Sequence, residues 1–105
     1  MLLCLAAPSF ALEPGDQAPE LATSKFIVGE PFKLADLKGK GPCIVEFFAS
    51  WSDDGVSAIK LLSTMKRDFA KDGLATLAIS AEEEKDIPTL SAKLPKGASC
   101  PVACH

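Results

Sequence analysis

Two apolar runs separated by an amphipathic segment constrain most strongly how this chain folds. The first run, CIVEFFAS (Cys43 to Ser50), is nearly continuous and rich in β-branched and aromatic residues, which predicts a central strand covered on both faces. The second run, LATLAIS (Leu74 to Ser80), predicts another buried strand. A strand, a helix and a strand in this order predict parallel pairing through a right-handed crossover.

The segment between the two runs has the period of an amphipathic helix. Its basic residues lie away from the apolar positions, which recur every three or four residues. The apolar positions are Val56, Ile59, Leu62, Met65 and Phe69. Because Gly73 is a typical C-terminal stop, the pattern predicts a helix over residues 55–72.

Shorter elements are predicted on both sides of this unit. KFIVGEPFKLADLKGKGP gives two short extended pieces around Gly29-Glu30-Pro31, as in a hairpin or an extended arm. AEEEKDIPTLSAKL predicts an acidic helix start and a short helix with Pro88 in its first turn, and CPVAC predicts a third strand. The predicted fold class is α/β, with a βαβαβ order and a mostly parallel sheet.

Length and charge exclude several classes of function. A chain of 105 residues is long enough for one domain, which we assign to residues 12–105. The net charge of -3 provides no basic field for nucleic acid or for an anionic membrane surface. No nucleic-acid partner is therefore expected.

The first eleven residues, MLLCLAAPSFA, are apolar and uncharged. They end in Ser9-Phe10-Ala11, a small-x-small pattern typical of signal-peptide cleavage after Ala11. The segment is shorter than the roughly 20 apolar residues that span a membrane, and it lacks the usual basic start. We predict a signal peptide over residues 1–11 and a periplasmic or extracellular location, with a missed upstream start explaining the absent basic residues. A buried first strand or helix is the alternative.

Four segments carry a family pattern: GDQAPEL, PFKLADLKGKG, VEFFASW and LATLAIS. Together they resemble the thioredoxin-like fold in its exported TlpA/redoxin branch of thiol-disulfide oxidoreductases, over about residues 15–104. In that family the strand ending in Ala-Ser-Trp continues into Cys-x-x-Cys at the helix N-terminus. Trp51 matches the family tryptophan, whereas Ser52 and Gly55 stand where the two cysteines would be.

The replaced cysteines decide what the resemblance implies for activity. A thiol at a helix N-terminus has a lowered pKa, but Ser52 has no thiol, and oxygen cannot form the mixed disulfide of thiol exchange. The sole histidine that could activate Ser52 as a base, His105, is the last residue. Asp53 and Asp54 would also disfavour a thiolate by like-charge repulsion. We therefore predict no catalytic residue and a redox-inactive domain.

The residues around the replaced cysteines are candidates for binding. Trp51 is predicted to cover the helix end and to contact a bound protein or peptide. Ser52, Asp53 and Asp54 suit an N-cap and a first helical turn. A cation or polar-ligand site that uses the two aspartates is the alternative.

Glu46 is the lone acid inside the first apolar run, six residues before Ser52. Strand alternation places it on a buried face with Ile44 and Phe48. The resemblance implies that an acid at this position assists proton transfer beneath the cysteine pair, and burial would raise its pKa. The alternative is that Glu46 is only a remnant of that role, or an edge-exposed glutamate paired with a lysine.

The four cysteines do not form a convincing second redox or metal centre. Cys4 would leave with the signal peptide, and Cys43 would act as a small apolar residue in a strand. On an extended strand Cys100 and Cys104 would lie roughly 13 Å apart, beyond the approximately 7 Å limit for a disulfide, so they could pair only if the tail were turned or helical. The ending CPVACH has one residue too many for a haem attachment site and lacks a fourth zinc ligand. No cofactor or metal is predicted, and an oxidoreductase working through Cys43, Cys100 or Cys104 is the alternative function.

The resemblance also implies that the domain is incomplete. After the segment that matches SCPVAC, the family has a cis-proline loop, two more strands and a terminal helix. Without them we expect an open sheet edge and partly covered apolar surface on Val45, Phe47 and Leu77. A fragment of a longer protein without independent function is the third interpretation.

Overall fold

The structure is a computed structural model that describes residues 13–23 and 25–104. In chain order the strands and helices are β1 (Lys25–Val28), β2 (Cys43–Phe48), α1 (Asp53–Asp68), β3 (Ala75–Ser80), α2 (Ile87–Lys93) and β4 (Val102–Cys104). Three short 3-10 helices occur at Leu34–Leu37, Ala70–Asp72 and Glu84–Asp86. The predicted signal peptide with Cys4, and His105, lie outside the described residues.

The strands form one four-stranded sheet in the order β1-β4-β3-β2. β2 and β3 pair in parallel from Cys43↔Ala75 to Phe48↔Ser80, and β3 pairs in parallel with β4. β1 pairs with β4 in the antiparallel direction. The predicted parallel βαβαβ unit is therefore confirmed, and β1 adds an antiparallel edge to it.

The prediction that β2 is a central strand is wrong. Within the described residues β2 pairs with β3 alone, so it is an edge strand. Phe47 on β2 is 68% exposed, as expected for a side chain at an open edge. Leu77 on β3 was expected to be partly covered as well, but it is buried among Ile79, Ala103 and residues from the N-terminal part of the domain.

Helix α1 begins two residues before its predicted start and ends earlier than predicted. It starts at Asp53 because the Ser52 side chain caps it, and it ends at Asp68, after which residues 70–72 continue as a 3-10 turn. Gly73 terminates this turn in the left-handed conformation with φ of 77°, which confirms the predicted stop. A Cβ there would clash with the Lys40 carbonyl oxygen, so the close approach of these two loops also requires glycine.

The second extended piece predicted near residue 34 is wrong, because Leu34–Leu37 forms a 3-10 helix. The Glu20 carboxylate accepts hydrogen bonds from the backbone N–H groups of Leu34 at 2.7 Å and Ala35 at 3.3 Å. These bonds, first of all the one from Leu34, hold the pKa of Glu20 below its ordinary value. A carboxylate 14 residues away thus caps this turn and joins the N-terminal segment to it.

Apolar side chains pack on both faces of the sheet. On the helix-covered face, Ile59 and Leu62 of α1 and Leu90 of α2 pack with residues of β2, β3 and β4. On the other face, Leu77, Ile79 and Ala103 are covered by a group that consists of Leu21, Phe26, Phe32 and Val45. No helix among the described residues is both long and apolar enough to cross a membrane.

Candidate functional site

The candidate site lies where β2 ends and α1 begins. Residues 49–52 form the connection, closed by a hydrogen bond from the Ser52 N–H to the Ala49 carbonyl oxygen at 3.0 Å. Trp51 lies at the outside of this turn and is 72% exposed. An exposed tryptophan held by a short turn is available to contact a partner.

Ser52 and Gly55, which the sequence resemblance places at the two cysteine positions, are neighbours across the first turn of α1. The Ser52 hydroxyl oxygen accepts a hydrogen bond from the Gly55 N–H at 3.3 Å, so Ser52 is the N-cap, as predicted. A Cβ on Gly55 would lie 3.6 Å from the Ser52 Cβ and 3.0 Å from the Phe48 Cβ. This Cβ separation between positions 52 and 55 is within the range that a disulfide requires, although Phe48 crowds position 55.

Asp53 and Asp54 occupy the first turn of α1 and are exposed. Carboxylates at this position interact favourably with the unpaired N–H groups of the helix start. Among residues 13–23 and 25–104, no group of three or more histidine, cysteine, aspartate or glutamate side chains could hold a metal ion. The placement of both aspartates supports the helix-start interpretation.

Glu46 lies on the helix-facing side of β2, since its strand neighbours Ile44 and Phe48 both pack in the helix-side core. Burial raises the pKa of the Glu46 carboxyl above its ordinary value, as predicted. Its Oε2 atom is buried and has no hydrogen-bond partner. Within the described part of the chain, neither salt bridge includes Glu46, so the lysine-paired alternative has no support there.

Replacing Glu46 with glutamine should stabilise the protein at neutral pH. The raised pKa means that the folded state disfavours the charged carboxylate, so the glutamate costs stability as the pH rises from its unfolded pKa to its folded pKa, and the full cost is present above the folded pKa. Removing the unpaired charge should raise the free energy of unfolding by on the order of 1 kcal/mol. Urea unfolding from pH 4 to pH 8 measures this, and we expect the difference from wild type to disappear toward the acidic end. A stabilisation independent of pH would contradict the explanation.

The three cysteines in the described residues are free. Cys100 and Cys104 are fully buried, and Cys43 is partly buried. Burial raises the pKa of all three thiols, which opposes thiolate formation. No disulfide is formed by these three cysteines within residues 13–23 and 25–104.

Glu82, which sequence reasoning passed over as part of an acidic helix start, is a central residue of the site. Its side chain is buried, with 8% of its surface exposed. Oε1 accepts a hydrogen bond from the Ser50 N–H at 2.6 Å, and Oε2 accepts one from the Ser80 hydroxyl at 2.5 Å. Its place as the first acid of the run, two residues beyond the carboxyl end of a buried parallel strand, was the signal that could have identified it.

The balance of burial and hydrogen bonding keeps Glu82 ionised. Burial alone raises the pKa of this carboxyl, but the hydrogen bonds from Ser80 and Ser50 outweigh it, and the charge of Lys93 adds to them. The net effect is a pKa below the ordinary glutamate value. A buried carboxylate with both oxygens bonded is therefore tied to the backbone of the site loop.

Two grooves flank the loop at residues 49–52. The larger, of about 570 Å³, is mostly apolar, and Phe47, Phe48, Ser52, Gly55, Ile79 and Ala81 contribute to its walls. The smaller, of about 390 Å³, is lined in part by Trp51, Asp53 and Lys93. Trp51 thus borders a small groove of mixed polarity, while its neighbours Ala49 and Ser52 border the apolar one.

No family model matches this sequence, and no curated protein matches it. A search of solved structures found a similar crystal structure, described as that of a candidate thiol:disulfide interchange protein DsbE from Chlorobium tepidum. The TM-score is 0.70 at 23% sequence identity. The match covers 90% of this chain and 64% of the other, so the chain spans less than two thirds of the length of its structural neighbour. From its sheet order, its helix crossovers and this likeness, we conclude that the chain has a thioredoxin-like fold.

Proposed function

We propose that this chain is an exported thioredoxin-like domain of the TlpA/redoxin branch that lacks thiol-disulfide activity and binds an extended polypeptide beside Trp51. The observation that carries the proposal is the joint placement of an exposed Trp51, an apolar groove and an open strand edge at one end of the sheet. The apolar first eleven residues support export.

The chemistry of the site supports inactivity. Ser52 serves as a helix cap, and Gly55 has no side chain to resolve a mixed disulfide. The thiols of Cys43, Cys100 and Cys104 have raised pKa values, and two of them are fully buried. These features favour binding over the alternative of an oxidoreductase that uses those cysteines.

The edge of β2 supports an extended polypeptide as the ligand. Among the described residues its outer backbone groups pair with no strand, and such an edge can accept an added strand through main-chain hydrogen bonds. Exposed Phe47 and the apolar groove would receive alternate side chains of that strand. Trp51 would provide aromatic contact area next to it.

A labelled peptide tests this proposal. We would measure fluorescence anisotropy with an eight-residue peptide of alternating valine and threonine carrying fluorescein, which forms strands readily. Wild-type protein should bind it, and Trp51→Ala should weaken binding by about tenfold or more, because interface tryptophans often carry that much of the affinity.

Two controls make the result specific. Phe69→Ala removes an exposed aromatic residue just beyond the other end of α1 and should leave the affinity unchanged. An eight-residue proline peptide with the same label has no main-chain N–H group to donate and should not bind. Absence of binding to the alternating peptide, or equal losses in the Trp51 and Phe69 variants, would contradict the proposal.

A further inference from the structure

We infer that Glu82 is a positioning residue that fixes the loop carrying Trp51 to the segment that follows β3. The inference rests on the proposed function only for what Trp51 binds, since the attachment itself is a property of the fold. Glu82 lies after β3, whereas Trp51 lies between β2 and α1. One side chain thus joins two segments that are 32 residues apart in sequence.

The contacts on both sides of Glu82 form a continuous connection. Oε1 accepts the N–H of Ser50, the residue immediately before Trp51. Oε2 accepts the Ser80 hydroxyl, and the Glu82 N–H donates back to the same hydroxyl oxygen at 3.0 Å. Ser80 bonds to both the carboxylate and the backbone N–H of Glu82, so the carboxylate is itself fixed in position. It can therefore restrict the motion of Ser50.

Other contacts of the loop do not replace this one. The Ala81 N–H donates to the Phe48 carbonyl oxygen at 2.9 Å, which extends the β2–β3 pairing but stops before Ser50. On the helix side, the Ser52 hydroxyl is engaged with Gly55. Trp51 therefore lies between two fixed points, of which Ser50 is held by Glu82.

The charge of Glu82 matters to this restraint. A charged acceptor makes a stronger hydrogen bond to a backbone N–H than a neutral one does. The charged or titratable groups that interact with Glu82 from neighbouring elements are Lys93 of α2 and Cys104 of β4, whose thiol has a raised pKa. Neither group competes for the Ser50 N–H, since an ammonium group is only a donor and a protonated thiol only a weak acceptor.

Amide hydrogen exchange and tryptophan fluorescence test the inference directly. Trp51 is the only tryptophan and the chain has no tyrosine, so intrinsic emission reports on this loop alone. In Glu82→Ala the Ser50 amide should exchange about tenfold faster or more, as expected for loss of a bond to a charged group. The emission anisotropy of Trp51 should fall at the same time. Glu82→Gln retains one carbonyl acceptor and should give smaller changes in both quantities.

Two control variants separate positioning from general stability. Glu83→Gln removes the same charge from an exposed neighbour and should change neither quantity. Ser63→Ala removes a similar tether at the opposite end of the sheet, where Ser63 accepts the N–H groups of Ser99 and Cys100. This second variant should lower thermal stability but leave Trp51 anisotropy unchanged.

The outcomes distinguish this inference from the proposed function. Faster Ser50 exchange with lower Trp51 anisotropy in a folded Glu82→Ala protein supports the positioning role, whether or not any peptide binds. If that variant does not fold, Glu82→Gln decides, and wild-type exchange and anisotropy in it would overturn the inference. If Ser63→Ala lowers the anisotropy as much as Glu82→Ala does, the effect is one of general stability and the inference is wrong.

Discussion

Replacing both Ser52 and Gly55 with cysteine should produce a domain that catalyses reduction of insulin disulfides by dithiothreitol. The scaffold already holds the two positions 3.6 Å apart at Cβ, within the approximately 3.5 to 4.5 Å that a disulfide requires. Position 52 lies at the N-terminus of α1, where unpaired N–H groups lower the pKa of a thiol. We expect wild-type protein to show no rate above background and the double variant to show catalysis.

The crowding at Gly55 predicts that the double variant is less stable than the wild-type protein. A side chain at position 55 meets the Phe48 Cβ at 3.0 Å, so Phe48 must shift by a few tenths of an ångström; overpacking of this kind costs about 1 to 3 kcal/mol, less the roughly 0.5 to 1 kcal/mol gained by replacing a glycine within a helix. Gly55→Ala isolates that cost, and thermal melts of the alanine and double variants measure it. Ser52→Cys alone should form mixed disulfides without turnover, because it has no resolving partner.

Two results would contradict this account of the site. Activity in the wild-type protein would place redox chemistry on Cys43, Cys100 or Cys104. A double variant that is folded and forms its disulfide, yet does not turn over, would show that the site lacks more than its two thiols. Asp53 and Asp54 would then be the next residues to neutralise, because adjacent carboxylates oppose a thiolate.

Ile59→Ala should have the largest effect on stability. Ile59 is fully buried where α1 packs on the sheet, and truncation of such a side chain costs about 2 to 5 kcal/mol. Small domains have about 5 to 15 kcal/mol in total, so the variant should lie close to its unfolding threshold at 37 °C. Urea unfolding followed by circular dichroism gives the free energy of unfolding.

Leu61→Ala is the matched control for this prediction. Leu61 lies two residues later on the same helix and is 60% exposed, so its truncation should change the free energy of unfolding by at most about 0.5 kcal/mol. A large loss at Leu61 would show that the exposed flank of α1 is covered in solution by another molecule or segment. A small loss at Ile59 would mean that α1 is not packed on the sheet as described.

Local patterns were sufficient to predict the elements that frame the site. Continuous apolar runs predicted β2 and β3, and the three-to-four-residue period predicted α1, with a start two residues later than the observed Asp53. The buried environment of Glu46 also followed from strand alternation. Each of these inferences depends on residues close together in the chain.

The features that sequence reasoning got wrong or missed depend on distant partners. The apolar run of β2 indicates burial but does not say how many strands flank it, and this strand lies at an edge. Residues 34–37 form a 3-10 turn because Glu20 caps them from another segment. Glu82 looked like an ordinary member of an acidic run, since the Ser50 N–H that it binds is brought to it only by the assembled sheet.

The antiparallel pairing of β1 with β4 has a consequence for the order of folding. β2, α1 and β3 are consecutive and can assemble through contacts within one crossover, whereas β1 must find a strand at the opposite end of the described chain. Closing so long a loop is entropically costly before β4 is in place. Strand β1 should therefore dock last and detach first, which makes Lys25–Val28 the segment where transient opening begins in the native protein.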